Sequence, residues 1–167
     1  MRIFLLIVLA AVALWYAVVG GRRIDESHVY ALYDKYWGAF IEGDGKAVCE
    51  LFDKRFAATV TTKTPAGDVE ESAGKEQACE GTDKFYAMKR ELERRTGVEL
   101  FVNSEYAIDR IELSADRKTA TVQLHTEIRI GTEQRLYLKM TETQTDTLVR
   151  KFGTTRFLAT QGAISMF

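Results

Sequence analysis

The chain has 167 residues, of which 46% are hydrophobic and 28% are charged. This composition argues for one globular domain and against disorder, fibrous repeats or a multidomain enzyme. The 23 lysines and arginines are balanced by 24 aspartates and glutamates, so the net charge is -1 and no overall basic field favours nucleic acid as a partner.

The chain begins with an uncharged segment, residues 3–21. A helix of 18 such residues is about 27 Å long, close to the hydrocarbon thickness of a bilayer. Trp15 lies near the far end of the segment, where aromatic rings suit the headgroup level, and Arg22 and Arg23 follow as a charged stop. Residues 1–21 are therefore predicted to be a transmembrane signal anchor, and a cleaved signal peptide is the alternative.

Both alternatives place the rest of the chain outside the cytoplasm. We expect a single-pass protein of the bacterial inner membrane with its C-terminal domain in the periplasm, or a periplasmic or secreted domain after cleavage. Cys49 and Cys79 agree with this location, because an even pair of cysteines in an exported chain is more typical of a disulfide than of a metal site. Two buried free thiols are the alternative. No metal and no cofactor are predicted, since no motif with metal-ligand spacing is present.

Residues 22–26 are expected to form a short linker before a domain over 27–167. Apolar residues recur at helical spacing up to Ile41, behind Asp25 or Ser27 as a cap. The glycines after this helix break it, and two further helices are predicted. Their ranges are 46–52, with Phe52 as a buried position, and 75–95.

The other segments have the pattern of strands separated by turns. A hairpin is predicted over 56–62 and 69–72, and four long strands over 99–113, 119–130, 134–148 and 152–163. Short turns between the long strands predict antiparallel neighbours. One face of the sheet is apolar, as shown by Leu136, Leu138 and Met140, and the helices must cover it. The predicted class is α+β.

This order of elements resembles the NTF2-like superfamily, which includes the SnoaL-like polyketide cyclases and the ketosteroid isomerases. The helix Tyr30 to Ile41, the Gly43-Asp44-Gly45 break and Leu51-Phe52-Asp53 are similar to the opening of that family. The resemblance covers about residues 25–165. It implies a cone in which three helices pack on a strongly curved, mostly antiparallel sheet, here preceded by the transmembrane helix.

The resemblance also bears on catalysis. In ketosteroid isomerases the first strand carries a catalytic aspartate just before a proline, but the comparable stretch from Ala58 to Pro65 holds threonines and a lysine. It offers no general base of useful pKa. Tyr30, Tyr33 or Tyr36 would correspond to the tyrosine of the family's first helix, yet an oxyanion donor without its base does not make an isomerase.

Aromatic residues on the first and third predicted helices are candidates for the wall of a ligand pocket, and packing in the core is the alternative. These residues are Tyr33, Trp37, Phe40 and Tyr86. His125 and Glu127 lie two residues apart on the polar face of a strand and are weak candidates for a catalytic pair. Exposure to solvent or a dimer contact is the alternative for them.

The sequence thus predicts a membrane-tethered, extracytoplasmic NTF2-like domain that binds a small apolar ligand or a protein partner without catalysis. A homodimer is compatible with this fold. One alternative is a SnoaL-like enzyme, such as a cyclase, hydratase or isomerase. The other is a VirB8-type assembly component of an envelope complex, whose exposed sheet would mediate oligomerisation.

Overall fold

The computed structural model describes residues 2–18, 20–64, 67–132 and 134–166. Its helices are α1 (Arg2–Val18), a short 3₁₀ helix (Gly20–Arg22), α2 (Glu26–Glu42), α3 (Gly45–Glu50) and α4 (Lys75–Thr96). Its strands are β1 (Phe52–Thr64), β2 (Gly67–Gly74), β3 (Phe101–Leu113), β4 (Thr119–Thr132), β5 (Arg135–Lys151) and β6 (Thr154–Met166). The predicted α+β class is confirmed.

The ends of α2 follow from local side-chain and backbone chemistry. Asp25 caps the N-terminus, because its carboxylate accepts a hydrogen bond from the backbone N–H of His28 at 3.1 Å. Gly43 ends the helix in the left-handed region, at φ 77°, where a glycine has no steric cost. Asp44 then caps α3 by accepting from Ala47 N–H at 2.9 Å. The predicted break between the two helices is confirmed.

The sequence predicts that Phe52 lies in the second helix of the domain, and this prediction is wrong. In the structure α3 ends at Glu50, and Phe52 is the first residue of β1. Leu51 O accepts a hydrogen bond from Phe157 N–H at 2.9 Å, so the chain is drawn into register with β6. Phe52 pairs with Phe157 in the sheet, and this long-range pairing overrides the helical pattern of the preceding residues.

The six strands form one sheet in the order β2-β1-β6-β5-β4-β3. β1 and β6 are parallel, and every other neighbouring pair is antiparallel. The register shifts at four places, which are Phe52/Ala57, Ile108/Arg110, Ile130/Gly131 and Thr147/Leu148. Such irregularities bend strands and increase twist, so they account for a curved sheet. The curved, mostly antiparallel sheet implied by the resemblance is confirmed.

The helices pack on one face of the sheet, which we call the inner face, and the opposite face is the outer face. On the inner face, β4 buries Val122, Leu124 and Thr126 together with Tyr33 and Val29 of α2. Residues of a strand alternate between the two faces, so every second residue of β4 enters the core. The core therefore lies between α2 and the middle strands.

The helices cover only part of the inner face. On β4 the inner residues are buried up to Thr126, whereas beyond it they are half-buried. On β5 Asp146 and Leu148 are buried, whereas Glu142 is half-buried. We call the incompletely covered region the open half. Its apolar members are Ile128, Ile130, Leu138, Met140 and Ile164.

α1 stands apart from this packing. Its described side chains are exposed, and Phe4 reaches 73%. The helix has 17 residues and is about 25 Å long. Among the described residues, no helix combines the length and the apolar character needed to cross a bilayer. The structure thus does not support the predicted transmembrane helix over residues 1–21, and Val19 lies outside the described residues.

Cys49 on α3 and Cys79 on α4 form a disulfide, with their Cα atoms 5.5 Å apart. The disulfide predicted from the sequence is confirmed, rather than the alternative of two free thiols. It joins the two helices across a separation of 30 residues. Disulfides form and persist in oxidising compartments, so the bond is a hint of an extracytoplasmic location.

Replacing both cysteines (Cys49→Ala with Cys79→Ala) is expected to lower the free energy of unfolding by about 3–4 kcal/mol, because the unfolded chain regains the freedom of a 30-residue loop. Urea denaturation of the variant, the oxidised protein and the reduced protein measures the difference. The reduced protein should match the variant. Equal midpoints for all three would contradict the stabilising role, and labelling of thiols in the denatured, unreduced chain should find none.

Candidate functional site

Two carboxylates of β5 lie on the inner face, where apolar residues are the rule. Glu142 and Asp146 are four residues apart and share a face, because strand residues alternate with a period of two. Asp146 is 0% exposed, and Glu142 lies half-buried at the border of the open half. Buried carboxylates are costly unless they are paired, so their surroundings decide what each can do.

Asp146 is fully supplied with hydrogen-bond donors. It accepts from Tyr33 Oη at 2.5 Å, from Thr160 Oγ1 at 2.7 Å and from Gln144 Nε2 at 2.8 Å. Burial raises the pKa of Asp146, and the three donors oppose that rise. Burial and the neighbouring Asp146 also raise the pKa of Tyr33. The Asp146 carboxylate therefore ties α2 to β5 and β6, and no further polar partner is required at this point.

Glu142 differs, because its carboxylate has no hydrogen-bond or ion-pair partner in the described part of the chain. Its side chain lies over Gly162 of β6. A Cβ atom at position 162 would lie 2.6 Å from Glu142 Oε1, so only glycine leaves room for this carboxylate. Burial, together with the charge of Asp146, raises the pKa of Glu142 to about 7. Glu142 can thus gain or lose a proton near neutral pH.

Other polar atoms beside Glu142 are also unpartnered. Within the described ranges, Thr126 Oγ1 and Trp37 Nε1 are buried without a hydrogen-bond partner. Thr126 lies directly opposite Glu142 on one side and Tyr106 on the other, and such cross-strand pairs have Cβ atoms about 5 Å apart. The Trp37 ring stacks on that of Tyr106, with centroids 5.9 Å apart. Because buried polar groups are nearly always paired, these atoms can take a partner from outside the protein, such as water or a bound molecule.

Tyr36 of α2 lies close enough to Glu142 and Asp146 to feel their charges. Burial raises its pKa, and the negative charges of Glu142 and Asp146 raise it further. Its ring makes an edge contact with Trp37, with centroids 5.0 Å apart. The phenol therefore stays protonated near neutral pH and is available as a donor beside the Glu142 carboxylate.

The structure places the four aromatic candidates for a pocket wall in one continuous cluster. Trp37 contacts Phe40 at 5.6 Å between centroids, Phe40 contacts Tyr86 at 5.9 Å, and Tyr33 joins through Tyr106 at 5.8 Å. Tyr33 Oη is bound to Asp146, and Tyr86 Oη donates to Phe40 O at 2.7 Å. Trp37 is the member of this set whose polar atom is unpartnered, and its ring stacks on Tyr106. Their role as a pocket wall stays a prediction.

His125 and Glu127 lie on the outer face, and the structure does not bring them together as a pair. His125 Nδ1 contacts Asp109 Oδ1 at 3.0 Å, and both side chains are more than half exposed. Glu127 instead forms ion pairs with Arg129 and with Lys139, the latter at 3.0 Å. The hydrogen bond from Lys139 is the main cause that lowers the pKa of Glu127. Each residue is thus engaged in its own surface contact, away from the inner face.

Sequence reasoning missed Glu142 and Asp146, although β5 carries a signal for both. It assigns Leu136, Leu138 and Met140 to the apolar face. The same period of two continues through Glu142, Gln144 and Asp146, while threonines occupy the alternate positions. Polar residues in phase with a buried face are the pattern that predicts an interior polar site. Among the described residues, no cluster of three His, Cys, Asp or Glu side chains could hold a metal ion.

Neither a protein-family model nor a curated protein matches the sequence. Solved structures do match the fold. A ketosteroid isomerase-like protein from Erwinia carotovora atroseptica is 13% identical with a TM-score of 0.57, over 84% of this chain and 98% of that one. A conserved protein from Planctomyces limnophilus is 12% identical with a TM-score of 0.61, over 86% and 98%. A proposed dehydratase of the NTF2-like family from Streptomyces avermitilis is 14% identical with a TM-score of 0.54, over 82% and 93%.

These similarities identify the class of protein that the chain represents. Its helices and six-stranded sheet form an NTF2-like fold, as the resemblance in the sequence predicts. Proteins with this fold have many different activities, and identities of 12–14% show the fold alone. The chemistry must therefore be argued from the residues around Glu142.

Replacing Glu142 with glutamine should remove a pH dependence of stability. The pKa of Glu142 is higher in the folded state than its usual 4.5, so the folded protein loses stability as the pH rises from about 4.5 to about 7. The loss is at most about 3 kcal/mol. Urea denaturation at about pH 5 and about pH 8 should show this loss in the natural protein and a smaller one in Glu142→Gln.

Glu127→Gln on the outer face is the matched control for that measurement, since the pKa of Glu127 is lowered rather than raised. It should leave the loss of stability between the two pH values in place. The same loss in Glu142→Gln as in the natural protein would show that Glu142 titrates normally.

Proposed function

We propose that the open half of the inner face binds a small, mostly apolar molecule that carries one polar group. The observation behind this proposal is the set of unpartnered polar atoms at its border, on Glu142, Thr126 and Trp37. Apolar side chains of Ile128 and Met140 extend from that border in a half-buried state. Ligand sites are typically apolar surfaces with a few convergent polar groups, and this region has both parts.

The covered half of the inner face is a poor alternative. Its carboxylate, Asp146, is 0% exposed and already accepts three hydrogen bonds. A ligand would have to displace these contacts. At the open half a ligand would instead add contacts to the half-buried Glu142 and remove apolar surface from water, and a small local opening would expose the buried Thr126 hydroxyl.

The unpartnered atoms also indicate which polar group the ligand carries. The indole of Trp37 is a donor only, and the hydroxyl of Thr126 donates or accepts. Glu142 donates when protonated and accepts when ionised, and both forms are present near neutral pH. A carbonyl or hydroxyl oxygen fits this combination, because it accepts from Trp37 while it exchanges a hydrogen bond with Glu142.

A charge placed in the open half should weaken binding selectively. Met140→Arg puts a cation among the apolar side chains, whereas Thr143→Arg puts it on the outer face of the same strand. With Nile red as an apolar probe, we expect at least about tenfold weaker binding by Met140→Arg and unchanged binding by Thr143→Arg. Native mass spectrometry of the natural chain should show a co-purifying small molecule. Equal probe affinity in both variants would contradict the proposed site.

A second candidate function is proton transfer by a SnoaL-like enzyme. It is favoured by Glu142, since a general acid or base works best with a pKa near the operating pH. A solved structure with this fold is a proposed dehydratase, which is a chemistry that moves protons. Glu142→Gln separates the two candidates through turnover: an enzyme turns over substrate and loses that turnover by about 100-fold or more in the variant, whereas a binding protein shows no turnover in either form.

We further propose that α1 tethers the domain to the bacterial inner membrane and that the domain lies in the periplasm. The exposed apolar side chains of α1 and the Cys49–Cys79 disulfide support this location. A cleaved signal peptide is the competing proposal, and it would leave a periplasmic or secreted domain. Protein partners, including a second copy of this chain, would contact the polar outer face of the sheet.

The tether has a direct test in bacterial cells. The full chain should remain with the membrane after alkaline carbonate extraction, and its intact mass should include α1. Leu6→Asp with Leu9→Asp places two charges in the apolar helix and should release the protein into the soluble fraction. A natural protein that is soluble and lacks about 20 N-terminal residues would identify a cleaved signal peptide instead.

A further inference from the structure

The segment after α1 is attached firmly to two turns of the sheet. Gly153 N–H donates to Gly21 O at 2.7 Å, and Ile24 N–H donates to Arg117 O at 2.7 Å. Ile24, which lies in the range 22–26 expected as a linker, is 0% exposed. The segment from Gly21 to Ile24, which follows α1 in the chain, is therefore fixed next to the turn between β3 and β4 and the turn between β5 and β6.

Phe152 is the most prominent residue of this surface. It lies in the turn between β5 and β6, is 75% exposed and has a backbone φ of 49°. A bulky residue in the left-handed region is strained, and the exposed ring of Phe152 gains little burial that would offset this strain. The guanidinium of Arg22 lies 5.9 Å from the centre of the Phe152 ring. The ring thus projects into solvent beside the last residues of the α1 segment.

Cations surround Phe152. A cleft of about 480 Å³ beside it is lined by Lys54, Lys75, Lys151 and Arg156, and by the acids Glu50 and Asp53. Four cations against two carboxylates leave this cleft positive, although the chain as a whole has a net charge of -1. Arg22 and Arg23 add two exposed cations at the exit of α1. These six cations and two carboxylates give the surface around Phe152 an excess of positive charge.

Two of these cations, Lys54 and Arg23, are not neutralised within the described part of the domain. Asp53 is already shared, since Lys151 Nζ lies 2.7 Å and Arg55 Nε lies 3.3 Å from its carboxylate. Burial opposes ionisation of Asp53, but the hydrogen bonds from Lys151 and Arg55 outweigh it and lower its pKa to about 2. The side chains of Lys54 and Arg23 have no hydrogen-bond or ion-pair partner among the residues that the structure describes.

We propose that Arg22, Arg23, Lys54 and Phe152, together called the basic rim, bind the headgroups of anionic phospholipids. The cations would pair with phosphate groups, and the Phe152 ring would enter the boundary between headgroups and acyl chains. Charge complementarity, the exposed ring and the adjoining apolar helix fit a lipid surface better than an acidic protein or free phosphate. The inference rests on the proposed tether, because an inserted α1 places the basic rim against the bilayer.

The test uses the full chain in vesicles with acyl chains brominated near the headgroup, which quench nearby indoles. Phe152→Trp is made in a Trp15→Phe background, and Trp15→Phe alone is the control that retains the buried Trp37. The vesicles are phosphatidylcholine alone or an equal mixture with phosphatidylglycerol. We expect the fluorescence added at position 152 to fall about twofold in the mixture and to change little in phosphatidylcholine alone.

Charge variants in the Phe152→Trp background complete the test. Arg23→Gln with Lys54→Gln should abolish the effect of phosphatidylglycerol. Lys46→Gln with Arg90→Gln, which removes the same charge from exposed positions on α3 and α4, should not. Equal quenching in both kinds of vesicle, or none in either while the chain remains vesicle-bound, would overturn the basic rim and leave the tether intact. Failure of the natural chain to enter any vesicle would overturn the tether and the basic rim together.

Discussion

The structure depends on one buried hydrogen bond, between the phenol of Tyr33 and the carboxylate of Asp146. A carboxylate that is completely buried must be supplied with donors, and Tyr33, Gln144 and Thr160 supply them. This requirement joins α2 to the middle of the sheet and fixes both its position along the strands and its rotation about its own axis. Trp37, one turn further along α2, is thereby held against Tyr106. The charge of Asp146 also contributes to the raised pKa of Glu142, so the same interaction tunes the candidate site.

Incomplete coverage by the helices creates that site. Three helices cannot cover a long curved sheet. Along β4 and β5 the residues of the inner face therefore change from buried in the core to half-buried in the open half. Thr126 and Glu142 lie at this border: the Thr126 hydroxyl is buried without a protein partner, and Glu142 is half-buried. Gly162 also contributes to the site, because a side chain at that position would displace the Glu142 carboxylate. Binding and proton transfer are both chemically consistent with such a border, and Glu142 is central to each.

The two proposed surfaces lie at opposite ends of the sheet. β5 begins at Arg135 in the open half and ends at Lys151 beside the basic rim, and 17 extended residues span about 55 Å. A domain attached to a bilayer through α1 and the basic rim would therefore present its open half away from the lipid. This arrangement suits a ligand that arrives from the aqueous compartment. It also leaves the outer face free for contacts with protein partners.

Sequence alone was sufficient for features with a local cause. The start of α2, for which Asp25 was one of two predicted caps, the break at Gly43 and the alternation along β4 depend on neighbours within a few residues. The fold class followed from their order, and the Cys49–Cys79 pairing was the expected one of two alternatives. The assignment of Phe52 to β1, the burial of Glu142 and Asp146, and the separate partners of His125 and Glu127 came only from the tertiary structure. These features arise from contacts between residues distant in the chain, where packing and burial override local pattern.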